Sequence, residues 1–250
     1  MALSIRALGL GRLVGLHKPT IIYLRHWGEY HTSPLIMFVI EGGEHPVVVD
    51  TGPLDPDHVW RHHKYRMEQA SEERPPAVLE AAGIDPADVR LVVNTHLHWD
   101  HSSNNDLFPN AKVVVQQREL DYANGPLPWH NVAFEHLPGI EAPWRKAADR
   151  LEVVDGDAEI APGINVVALP GHTPGSQGVL VQAAEKKYLI AGDCVDTYEN
   201  WEGDETADHI PSGLYTNLHE YDASFTKIES LGCEVIPSHD EAVLDRGRFA

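Results

Sequence analysis

His96-Leu97-His98-Trp99-Asp100-His101 follows directly on the apolar run Leu91–Val93. Three imidazoles and a carboxylate within six residues, placed where a strand gives way to a helix, can turn their donor atoms toward one centre. Imidazole and carboxylate together suit Zn²⁺, iron or manganese, and no thiolate stands in the stretch to compete. A structural zinc site would draw on closely spaced cysteines, whereas the chain's two cysteines, Cys194 and Cys233, stand far apart. The donor types therefore point to a catalytic metal centre carried on a strand-end turn.

Outward from this motif, short β-rich runs bounded by Gly, Pro and Asp recur: Pro34–Glu41, Pro46–Asp50, Val89–Asn94, Ala111–Gln116, Ile164–Leu169, Gly178–Val181, Tyr188–Ala191 and Glu234–Pro237. Several end in polar residues where the strand should stop, at Asp50, Asn94-Thr95, Pro170-Gly171-His172, Gly192-Asp193 and Ser238-His239. Helices are expected over His58–Gln69, Pro76–Ala82, Gln117–Asn124 and Asp222–Leu231. Strands first, then mixed strands and helices, read as an α/β fold with two β-sheets and helices packed outside. With no Gly/Ser-rich or Pro-rich linker, a single domain over residues 1–250 is expected. Tyr122–Trp144, with four prolines and several aromatics, reads as a long ordered loop, serving either as a pocket lid or as a contact in a homodimer.

Composition narrows the function classes. Lys and Arg total 19 against 38 Asp and Glu, a formal charge of −19 that disfavours nucleic acid as a partner. No apolar run approaches the roughly 20 residues that a membrane-spanning helix needs. Two cysteines form no disulfide framework, and residues 1–16 are interrupted by Arg6 and Arg12 with no clean cleavage pattern, so a cytoplasmic location is expected. Histidine is over-represented, at 16 residues. His58 and His62, four residues apart on an expected helix, have a spacing that could bind a metal, but with His63 beside Arg61 and Lys64 they read as a solvated face, while the stretch His26–His31 could reach a pocket rim. His209 and Tyr215 could also line the pocket, and Cys194 reads as a small buried residue.

The histidine motif resembles the signature of the metallo-β-lactamase superfamily, and the resemblance extends over most of the chain. Asp50-Thr51-Gly52, Pro170-Gly171-His172-Thr173-Pro174-Gly175-Ser176, Ala191-Gly192-Asp193 and Ser238-His239 match the family's other motifs in order. The resemblance implies an αβ/βα four-layer sandwich with a centre for two divalent metal ions, expected to be Zn²⁺, with iron, manganese or cobalt as substitutes. It further implies that His96, His98 and His172 hold one ion, that Asp100, His101 and His239 hold the other, and that Asp193 bridges both. Asp50 matches no ligand and is read either as an orienting residue beneath the site or as a turn residue. Two such ions can share a hydroxide formed near neutral pH.

Within the superfamily the pattern is most similar to the N-acyl-homoserine lactonases and related small lactonases, through Pro76–Val89 and Asn104–Leu120. The implied activity is hydrolytic opening of a small cyclic substrate, an N-acyl-homoserine lactone or another lactone, by the bridging hydroxide. Asp193 and Asp100 are the carboxylates expected to take part. Those lactonases usually carry a tyrosine three residues after the bridging aspartate; here Asp196 stands there, and the nearest tyrosine, Tyr198, is the candidate to replace it. That departure keeps a cyclic amide or imide open as substrate. A thioester hydrolase and a mononuclear iron persulfide dioxygenase of the same fold are the remaining alternatives.

Overall fold

The computed structural model describes residues 2–250. One sheet takes β1 (Ser4–His17), β2 (Tyr30–Glu41), β3 (Val47–Val49), β4 (Arg66–Glu68), β5 (Leu91–Val93), β6 (Lys112–Gln116) and β7 (Leu151–Val154). A second sheet takes β8 (Ala158–Ala161), β9 (Ile164–Ala168), β10 (Gln177–Gln182), β11 (Lys187–Ile190) and β12 (Glu234–Ile236). The short β13 (Arg248–Phe249) returns to pair with β1 at the edge of the first sheet. Helices α1 (Pro56–His62), α2 (Pro75–Ala81), α3 (Trp99–Ser102), α4 (Gln117–Ala123), α5 (Tyr198–Glu202), α6 (Leu218–Leu231) and α7 (Glu241–Arg246) complete the chain. Among the described residues, no helix is long and apolar enough to cross a membrane.

Alternation of side chains across the strands builds three apolar layers. Val47 and Val49 of β3, Val93 and Val114 face Val166, Val179, Ile190 and Ile236 of the second sheet, filling the space between the sheets. Val48, Val92 and Val113 point the other way, onto Val59 of α1 and Leu79 of α2. On the far side, Val167, Leu189 and Val235 meet Tyr221, Phe225 and Ile228 of α6. Strands buried on both faces need near-continuous Val and Ile, which is why the central runs are so uniformly apolar. The result is the expected sandwich of two mixed sheets between outer helices.

Beyond short elements such as β7, β8, α5 and α7 that the sequence reading did not mark, three regions depart from it. Residues 4–17 form the longest strand, although Gly9, Gly11 and Gly15 and two register shifts break its alternation. The helix expected over His58–Gln69 stops at His62. Lys64 takes a left-handed φ of 62°, and Arg66–Glu68 then turns to pair with β1. Helix α6 begins four residues before the expected Asp222, where the Asn217 side chain accepts from the backbone N–H groups of His219 and Glu220.

Strands β3, β5, β6 and β7 run parallel, as do β11 and β12. The carboxyl ends of β3, β5, β11 and β12 deliver Asp50, Thr95–His101, Asp193 and Ser238–His239 to one end of the sandwich, where the β9–β10 turn adds His172. Open α/β sheets bind ligands at this kind of strand edge.

Candidate metal centre

Asp193 lies at the middle of the converging side chains, and its two oxygens face different partners. Oδ2 is 3.7 Å from His96 Nε2 and 3.4 Å from His172 Nε2, and His172 Nε2 is in turn 3.1 Å from His98 Nδ1. Oδ1 is 3.2 Å from both His101 Nε2 and His239 Nε2. Asp100 Oδ2 sits 3.8 and 4.0 Å from those same two nitrogens. Ring nitrogens of different histidines thus stand against each other at hydrogen-bond range, which suits a cation placed among their lone pairs better than it suits imidazoles alone. His96 Nε2 is buried with no hydrogen-bond partner at all.

The chain fixes which nitrogen of each ring faces inward. His172 Nδ1 donates to Leu214 O at 2.8 Å and His239 Nδ1 to Pro34 O at 2.9 Å. His101 Nδ1 donates to Asp50 Oδ2 at 2.8 Å. Asp50 also accepts from the Thr95 backbone N–H and hydroxyl, at 2.8 and 2.7 Å. Its backbone has a φ of 57°, a left-handed conformation that costs a non-glycine residue about 1–3 kcal/mol. Of the two readings of Asp50, the geometry therefore favours the orienting one: the carboxylate holds a candidate ligand ring and the loop that bears it. Asp50→Asn is expected to weaken Zn²⁺ affinity by about 10–100-fold, measured by competition with a chromogenic chelator. Unchanged affinity would mean that the ring needs no such anchor.

Glu119, which the sequence reading passed over, ties two of the loops together. Its buried carboxylate accepts from Leu97 N at 2.9 Å, Thr173 Oγ1 at 2.6 Å and Gly175 N at 3.1 Å. A Cβ on Gly175 would lie 2.1 Å from the Glu119 backbone nitrogen, so only glycine permits this approach. Burial pushes the Glu119 carboxyl up to about 7, against the three hydrogen bonds that favour its charged form.

Electrostatics divide the ligand candidates into two groups. Burial keeps His96, His98 and His172 lowered and hence neutral, the state in which imidazole binds a metal. Burial also opposes charge on His101 and His239. Asp193 and Asp100 outweigh it, however, raising His101 well above its usual range and His239 to about 9. The same field would favour a dication placed between those carboxylates. The donor set is imidazole and carboxylate throughout and fits borderline divalent metals. Cys194 stays out of it, buried among apolar residues with its thiol pushed up by burial.

Above these residues opens a cavity of about 540 Å³, within the range usual for small-ligand sites. His98, Asp100, His172, Asp193 and His239 line it, together with apolar Leu13, Leu16, Ile21, Trp129, Val132, Phe134 and Leu214. The Tyr122–Trp144 stretch thus supplies one wall, and Tyr215 another part. Asp196 lines the cavity as well. Burial and then the neighbouring Asp193 hold its carboxyl well above the usual range, and its Oδ1 has no hydrogen-bond partner.

Tyr198 is not brought to the site. Two residues beyond Asp196 the chain turns into α5, and the Tyr198 ring packs against the layer between the sheets, toward Arg246. His209 stacks on Trp201 and is not among the residues lining the cavity, and His26 is paired with Glu199. His63 overturns the solvated-face reading: it is buried, stacked on Trp99 with ring centroids 4.1 Å apart.

Comparison with known proteins bears on this arrangement. Residues 37–239 match the metallo-beta-lactamase superfamily, a span that runs from the middle of β2 to the final histidine of the centre. The chain belongs to the metallo-beta-lactamase superfamily. Among curated members it is similar to an N-acyl homoserine lactonase of a Bacillus species, 26% identical over 186 residues, covering 71% of this chain and 70% of that one. The N-acyl homoserine lactonase AttM of Azorhizobium caulinodans is 29% identical over 228 residues, covering 85% of this chain and 84% of its own. The structure of an N-acyl homoserine lactone hydrolase, with the product N-hexanoyl-L-homoserine bound at the catalytic metal centre, superposes with a TM-score of 0.80. It covers 98% of this chain and 97% of that one at 21% identity, so this likeness speaks for the fold.

Proposed function

We propose that this chain is a single-domain hydrolase that opens a lactone ring, with N-acyl-homoserine lactones as the first substrate class, at a centre of two divalent ions. The observation that carries the reading is the division of Asp193, one oxygen to His96 and His172 and the other to His101 and His239. The similarity to curated lactonases supports the substrate class. His96, His98 and His172 would hold one ion, Asp100, His101 and His239 the other, with Asp193 between them. An all-imidazole and carboxylate donor set favours zinc. When bound, such ions supply Lewis-acid polarisation of an ester carbonyl and activation of water near neutral pH.

The chain's own residues do the rest. Apolar walls from Leu13, Leu16, Ile21 and Val132 exclude water and offer contact to an acyl chain, leaving the polar floor for the ring. Trp129, 73% exposed at the cavity wall, can cover a bound chain from the solvent side. Asp193 is held as a carboxylate: burial opposes its charge, but His101 and His239 outweigh that. Asp196 contrasts with it: burial and then the neighbouring Asp193 raise its carboxyl, favouring the neutral form at the cavity wall. Two carboxyl groups pushed in opposite directions within one cavity are suited to divided acid and base roles. Asp196 is placed to protonate the leaving oxygen as the ring opens. The same proton supports a second reading, opening of a cyclic amide or imide, where the departing nitrogen needs an acid more than an alkoxide does. The acidic chain, with a formal charge of −19, fits a cytoplasmic enzyme that does not bind nucleic acid.

The test is hydrolysis by the zinc-loaded chain of acyl-homoserine lactones, simple γ- and δ-lactones, a thioester and a cyclic imide. Turnover of the acyl-homoserine lactones is expected, lost in His101→Ala. Asp196→Asn should lower kcat by about 10²-fold with little change in KM, as removal of a general acid does. Silence on every lactone with turnover of the imide would replace the first reading by the second.

A further inference from the structure

Another set of donors converges outside the Asp193 centre, where His63 stacks on Trp99 and reaches the wall of the same cavity. His58 of α1 and His63 just beyond it both aim Nε2 at the same oxygen of Glu135, at 2.5 and 3.0 Å. Glu135 arrives from 77 residues away in sequence, and its side chain is 1% exposed. The His63 side chain is fully enclosed, while that of His58 keeps 20% exposure. The ring of His62 lies 4.5 Å from that of His58.

Two features of Glu135 go beyond an ordinary ion pair. Its second oxygen, Oε2, is buried without a hydrogen-bond partner, although two imidazoles crowd Oε1. Its backbone takes a left-handed φ of 51°, which a non-glycine residue adopts only when its surroundings hold it there. Here the local turn holds it, through bonds from Glu135 N to Val132 O and from His136 N to Asn131 O.

We propose that His58, His63 and Glu135 form a third divalent-cation site, separate from the Asp193 centre. Two imidazoles and a carboxylate are a zinc-type donor set, and the three donor atoms lie within 4.8 Å of one another. Tetrahedral bonds of about 2.0–2.2 Å place ligand atoms about 3.3–3.6 Å apart, so the spacings of 2.5 and 3.0 Å need to open by about 1 Å or less. A cation there would draw in the unpaired Oε2 or share Oε1, and the partly exposed His58 side leaves room for water as a fourth ligand. The site joins α1 to the segment carrying Trp129, Val132 and Phe134, and it fixes His63 against Trp99. Its role is therefore structural, a cross-link that sets the position of one cavity wall.

The inference does not depend on which ring the enzyme opens, and its test reads metal content. The full chain is loaded with excess Zn²⁺, separated from free ion by gel filtration, and its zinc counted by plasma mass spectrometry. Three ions per chain are expected, falling to two in His58→Ala and in the near-isosteric Glu135→Gln. The same one-ion difference is expected when His58→Ala is added to His101→Ala, which damages the other centre, and circular dichroism checks that each variant is folded. Equal zinc counts in the native chain and the folded variants would overturn the proposal and leave the cluster a hydrogen-bonded latch.

Discussion

Asp193→Asn is expected to reduce lactone hydrolysis by about 10³-fold or more and to lower the zinc content of the Asp193 centre. Asp193 is the one residue that faces both donor groups, with His96 and His172 on Oδ2 and His101 and His239 on Oδ1. An amide in its place keeps one acceptor oxygen but turns an NH₂ toward the other pair of ring nitrogens. It also removes the negative charge that holds His101 and His239 in a field suited to a dication. A thousandfold corresponds to about 4 kcal/mol of transition-state stabilisation, the scale of one lost electrostatic contact to a reacting group in a dry site. Steady-state rates with metal content measured on the same sample check it. A variant that kept two ions and lost less than about tenfold in rate would show that Asp193 does not bridge.

Glu119→Ala is expected to lower stability by roughly 3–5 kcal/mol, a drop in Tm on the order of 10 °C for a chain of this size. The cause is the set of donors left behind. Leu97 N, the Thr173 hydroxyl and Gly175 N all give their hydrogens to this one buried carboxylate. A buried donor without an acceptor costs about 1–3 kcal/mol, and alanine leaves three of them beside a cavity. Leu97 stands between the candidate ligands His96 and His98, and Thr173 follows His172, so the metal centre should loosen together with the fold. Thermal unfolding followed by circular dichroism, with and without zinc, would show it. A melting point within about 2 °C of the native one would mean that water takes over the three bonds.

The histidine motif was legible because its four donors are adjacent in sequence and sit where a strand ends. Asp193 and His239 carry no such local pattern and became readable only through the order of motifs along the chain. The strand β1 went unread because its glycines and bulges break the alternation that marks a strand. Glu119 and Glu135 escaped for another reason: a glutamate in a polar stretch says nothing of burial, which is decided by chain segments that arrive from 54 or 77 residues away. Asp196 and Tyr198 differ by only two positions, yet the turn into α5 sends one to the cavity and packs the other, half-buried, against the layer between the sheets. A motif fixes such positions only while the backbone conformation around them is known.

Floor and walls of the cavity come from different parts of the architecture. The floor hangs on strand ends locked into two sheets, whereas the walls come from connecting segments such as 129–134 and 212–216 and from the Leu13–Leu16 stretch of β1. A lineage built on this plan can re-cut its walls, one insertion or replacement at a time, without disturbing the reaction below them. Chemistry in such a protein is inherited, and appetite is what each descendant revises.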